Sequence, residues 1–125
     1  MKQISKLFIF LLMSFIVVSC SNGITGNPKE DADNMVKELT KAGKEKDYKK
    51  INEIVGFYYE YYSNADLVDR VAFLKSVDFD NLPEEDIIIW HEVVQNEDFQ
   101  NAPNVMRLSL LEKDTKKEAR EKGIW

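Results

Sequence analysis

The sequence predicts an all-α fold: a small bundle of four to five short helices following a cleaved signal peptide. Three observations carry this. Apolar residues after Pro28 recur at alternating steps of three and four, the repeat of a helix with one face in a core. Helix-starting and helix-stopping residues punctuate that pattern at regular intervals. After Pro28 only one stretch, Ile87-Ile88-Ile89-Trp90, has the run of β-branched residues that favours an extended chain.

The N-terminal segment comes first. Met1–Lys6 carries Lys2 and Lys6, and Leu7–Val18 is an apolar run interrupted only by Ser14. A basic n-region followed by about a dozen apolar residues is signal-peptide architecture, too short to cross a bilayer comfortably. Val17-Val18-Ser19-Cys20 ends the run and holds the only cysteine in the chain. These residues resemble the lipobox of bacterial prolipoproteins, and the whole chain is similar to small lipoproteins of the Bacteroidota type. The resemblance implies that the Cys20 thiol receives a diacylglyceryl group and that the chain is cut between Ser19 and Cys20. An ordinary secretory signal with a chance cysteine, or a short membrane anchor, are the other readings of the same residues. Ser21, following Cys20, is similar to the outer-membrane sorting pattern of lipoproteins. Lys29-Glu30-Asp31 is similar to the lysine-plus-acidic export signals of Bacteroidota surface lipoproteins; an acidic helix start accounts for the same residues.

Removing residues 1–19 leaves 106, the size of one domain, with no thiol outside Cys20 for a disulfide. Loss of Lys2 and Lys6 leaves 15 basic against 22 acidic residues, so the net charge moves from -5 to -7. That charge repels phosphate backbones and anionic headgroups, which argues against nucleic-acid binding. Contact with a membrane is therefore expected through lipid on Cys20. Ser21–Pro28, with two glycines and a proline, reads as a flexible tether.

The first helix is expected over about Lys29–Gly43, with Glu30, Asp31 and Asp33 near its N-terminus and Gly43 as its stop. Asp47 caps a second helix running to about Ser63. Its stripe Tyr48, Ile51, Val55, Tyr58, Tyr62, flanked by Ile54, Phe57 and Tyr61, covers more than half its circumference and places it at the centre. Asn64-Ala65-Asp66 starts a third helix with Leu67, Val71 and Leu74 inward. Asn81-Leu82-Pro83-Glu84 starts a fourth, with Asn81 as cap and Ile87, Trp90 or His91, and Val94 inward. Asn101–Pro103 opens the last, lined by Val105, Leu108, Leu111, Thr115 and Ala119, with Gly123-Ile124 as its terminator.

Residues that carry chemistry are sparse. His91 is the only histidine, and with Ser109 it would have to supply any nucleophile–base pair; a partly buried, hydrogen-bonded histidine is the simpler reading. Zinc needs several His or Cys ligands. Asp78-Phe79-Asp80-Asn81 starts like a calcium loop but lacks its glycine, and Glu84, Glu85 and Asp86 suit a helix N-terminus. The sequence points to no catalytic residue, no metal and no cofactor. The densest anomaly is Phe57-Tyr58-Tyr59-Glu60-Tyr61-Tyr62. Tyr59 and Tyr61 lie at the margins of the core stripe and are the candidate contacts for a protein or glycan partner; the simpler reading is that all four tyrosines close the edges of a small helical core with their hydroxyls reaching water. The expectation is a lipid-anchored envelope protein, most readily on the outer membrane, acting as a non-enzymatic binding or structural module. The alternative is an envelope inhibitor or immunity-type protein that meets a basic partner. Replacing Cys20→Ala should leave uncut precursor with no acyl label; normal labelling of that variant by radioactive palmitate would overturn the anchor.

Overall fold

The computed structural model describes residues 23–125, which form an all-α bundle. Five helices of ten residues or more are joined by short links and one four-residue helical turn: α1 (Pro28–Lys44), α2 (Tyr48–Tyr62), α3 (Leu67–Ser76), α4 (Glu84–Gln95), α5 (Glu97–Gln100) and α6 (Pro103–Glu121). Among the described residues there is no strand, and Ile87–Trp90 lies inside α4.

Local chemistry fixes the ends. Asn27 caps α1 by accepting from the Glu30 N–H (3.1 Å), with Pro28 in the first turn. Asp47 and Asp66 cap α2 and α3 in the same way, accepting from Lys50 (3.0 Å) and Asp69 (2.9 Å). Two expected signals have other roles. α1 runs one residue past Gly43, and the left-handed position that closes it is Lys46 (φ 55°). Gly43 instead lets α4 approach, since a β-carbon there would lie 3.3 Å from Val93 Cγ2. Asn81 is not the cap of α4: its amide donates to Asp78 (2.6 Å), and Pro83 precedes the helix.

α1 packs against α2, α3 and α4, and α2 packs against α1 and α6, so the centre belongs to two helices rather than to α2 alone. At the core Phe73 stacks between two tyrosines, 4.0 Å and 7° from the Tyr62 ring and 6.3 Å and 12° from Tyr58. All three rings are fully buried, and Met35, Leu39, Ile51, Val55, Trp90 and Val93 continue the core. Trp90 donates to Thr40 Oγ1 (3.0 Å), whose own hydroxyl donates to the Val36 carbonyl (2.7 Å). The segment from Ile24 onward thus encloses a core of its own.

The inner face of α4 differs from the expected one. Asp86, Trp90 and Val93 are buried, whereas His91 is exposed and Val94 is 45 % exposed. The register was hidden by Asp86, an acid at an inward position that pairs with Lys44 (2.9 Å).

Asn104 locks α6 onto α2: its backbone N–H donates to Asn52 Oδ1 (2.8 Å) and its side-chain amide to the Asn52 carbonyl (3.0 Å). The amide occupies the notch left by Gly56, where a β-carbon would sit 2.9 Å from Asn104 Cγ. Alanine normally stabilises a helix interior over glycine by about 1 kcal/mol. Gly56→Ala should instead lower stability by about 1 kcal/mol, because the amide must leave its half-buried partner, the Asn52 carbonyl. Urea unfolding reads this; a gain of the full propensity increment would show that the notch does not matter.

Candidate functional site

Two features converge at one end of the bundle. The first is a latch on the N-terminal segment. Asp31, fully buried in the first turn of α1, accepts from the Thr25 N–H (2.8 Å), the Thr25 hydroxyl (2.9 Å), the Gly26 N–H (3.3 Å) and the Tyr62 hydroxyl. A buried carboxylate needs this many donors to offset lost hydration. Ile24 packs against the core just before the latch. The tether expected to run to Pro28 is therefore docked from Ile24 onward. Of Lys29, Glu30 and Asp31, only the first two are exposed.

The second feature is a broad open groove of about 1040 Å³ beside the latch. α2 supplies Glu53, Gly56, Phe57, Tyr59, Glu60 and Tyr61; Ile24, Ala65 and Asp69 close one end, and Asn104 with Arg107 form the α6 wall. Phe57 and Tyr61 are 47 % and 46 % exposed, yet each rests edge-on against a buried neighbour: Phe57 on Tyr58 (5.3 Å, 89°) and Tyr61 on Tyr62 (4.8 Å, 71°). The rings are presented to solvent while fixed from behind, which reduces the conformational entropy lost on contact. Three acidic residues, Glu53, Glu60 and Asp69, line the groove together with one cation, Arg107, whose guanidinium donates to Asn104 Oδ1 (2.8 Å).

Tyr59 and Tyr61 thus share one groove, joined by Phe57, which the sequence placed on a packing stripe. Ile24, Asn104 and Arg107 come from distant parts of the chain, and no local pattern identifies them. Cys20 and Ser19 lie outside the described residues. His91 is exposed on α4, and Ser109 lines a separate cleft with Glu112. Asp78 uses both carboxylate oxygens within its own turn, on the Asp80 N–H (2.8 Å) and the Asn81 amide. Among the described residues no group of three or more His, Cys, Asp or Glu is placed to hold a metal, and no helix is long and apolar enough to cross a membrane.

No family model, curated protein or solved structure matches the chain.

Electrostatics mark the tyrosines behind the groove as fixed proton holders. Burial, then the hydrogen bond to Asp31, pushes the Tyr62 hydroxyl far above its ordinary value. Burial and the bond to Glu38 (2.9 Å) do the same for Tyr58. Glu38 is itself raised by burial, offset in part by Tyr58 and by the charge of Lys50. Below the unfolded tyrosine value of 10.0 both states keep these protons, so their contribution is intact there. Above it the unfolded chain ionises first, and stability falls by about 1.4 kcal/mol per pH unit for each tyrosine. Tyrosinate absorbance should show these two groups ionising only together with loss of helical circular dichroism. In Tyr58→Phe/Tyr62→Phe the alkaline slope should flatten; an unchanged slope would refute the assignment.

Proposed function

We propose that the chain is a lipid-anchored, non-enzymatic binding module of a bacterial cell envelope, with the aromatic groove on α2 as its contact surface. The observation that carries this reading is the groove itself: three aromatic residues gathered in an open depression, two of them, Phe57 and Tyr61, about half exposed and fixed from behind by buried rings. Aromatic side chains held in this way are common anchors of protein interfaces. Membrane attachment belongs to lipid on Cys20, and the sorting residue Ser21 favours the outer membrane. No cofactor enters this function.

The latch supports the same reading from the other side. Four chain steps separate Cys20 from Ile24, a reach of at most about 14 Å. Because Ile24 lines the groove, its end is held near the anchor, so the lipid would set the height of the contact surface above the bilayer. The partner is a protein segment that carries apolar and cationic side chains together, since Glu53, Glu60 and Asp69 outnumber Arg107 around the rings. This charge pattern also suits an inhibitor or immunity-type role against a basic partner, within the same binding reading.

A photo-crosslinking amino acid at Tyr61 of the full-length protein in cells should give a discrete covalent adduct, while one at exposed Lys113 on α6 should not. Glu53→Lys/Glu60→Lys should reduce that adduct at least tenfold, and raised salt should weaken it. Equal adducts from both positions, or none from Tyr61, would end the proposal.

A further inference from the structure

The interior holds a second space that the groove reading does not use. Between the later part of α1, the middle of α2, α4, α5 and the start of α6 lies a cavity of about 190 Å³. Met35, Val55, Phe79, Trp90, Phe99 and Leu108 are among its walls, every lining side chain is apolar, and no polar atom faces it. The single polar atom of the Trp90 side chain is already taken by Thr40.

Natural interiors pack like organic crystals and retain few voids larger than a water molecule. Water gains nothing here, because it finds no hydrogen-bond partner on the wall. An apolar cavity of about 150 Å³ engineered into another protein stays dry and binds benzene. The space described here is somewhat larger and equally apolar in its lining, but it is partly open to solvent beside the half-exposed Val94. It also has an approach. The cleft between the α3–α4 link and α6 shares Val77, Phe79, Val105 and Leu108 with it, and Ser109 and Glu112 stand at that cleft's rim.

We propose that this cavity is a binding site for a small uncharged hydrocarbon group, a single aromatic ring or a short alkyl chain, entering past Phe79. Charged groups are excluded from the interior by the lack of any partner, and an anionic head at the entrance meets Glu112. The site stands independently of the lipid on Cys20 and of the groove.

The test uses the segment 21–125, whose described core is self-contained, after circular dichroism has shown it helical. Benzene and 1-hexanol are titrated at low millimolar concentration, with hexanoate as the charged counterpart, while melting temperature and Trp90 emission in a Trp125→Phe background are followed. At ten times the dissociation constant the melting temperature should rise by about 5 °C or more. A response to benzene alone assigns the site to rings, and a response to hexanol alone assigns it to chains; either supports the proposal. Filling the space with Leu108→Phe, or from its half-exposed edge with Val94→Phe, should abolish the response while the variants remain helical. No rise with either neutral probe, an equal rise with hexanoate, or a rise that survives in both filled variants would overturn it.

Discussion

The carboxylate of Asp31 sits without exposed surface in the first turn of α1, where leaving it unpaired would cost several kcal/mol. The chain meets that demand with donors from two directions: Thr25 and Gly26 from the N-terminal segment, and Tyr62 from the last turn of α2. Each consequence follows in turn. Tyr62, held at its hydroxyl, presents a fixed face to Phe73, and Phe73 in turn lies against Tyr58, whose hydroxyl is held by Glu38. Tyr61 leans on Tyr62 and Phe57 on Tyr58, so the exposed rings of the groove inherit their positions from buried ones. One desolvated charge thus ties together the N-terminal segment, the aromatic core and the exposed rings of the groove.

Helix existence was legible because it depends on neighbours in sequence. Asp47 and Asp66 cap the helices they precede, and the Tyr48–Tyr62 stripe separates buried Tyr58 and Tyr62 from Tyr59 and Tyr61 at its margins. The sequence was silent where a residue answers to a distant partner. Asp86 faces inward because Lys44 meets it, and this displaced the expected face of α4 by about one position, from Val94 to Val93. Gly43 resembles a helix stop but makes room for Val93. Phe73 lies off the stripe of Leu67, Val71 and Leu74, because its buried position is defined by the Tyr58 and Tyr62 rings on α2.

The docked N-terminal segment is the clearest case of this kind. Glycines, a proline and small polar residues describe a chain with little to bury, and composition alone makes Ser21–Pro28 a linker. Composition cannot reveal that Thr25 and Gly26 donate to a carboxylate five or six residues later. The same acid reads from sequence as a favourable charge at a helix N-terminus, which it also is. Its burial, and the hydroxyl that reaches it from α2 thirty-one residues away, are tertiary facts.

The groove and the interior cavity lie on opposite sides of a single seam. On α2, Gly56 and Phe57 face the groove while Val55 faces the cavity; on α6, Asn104 and Arg107 face the groove while Val105 and Leu108 face the cavity. The seam is closed by the Asn52–Asn104 pair and by the glycine notch that admits Asn104. Bonds of this kind have defined geometry, whereas apolar contacts around a void tolerate small shifts at low cost. The polar seam thus separates the open aromatic groove from the apolar space on its other side.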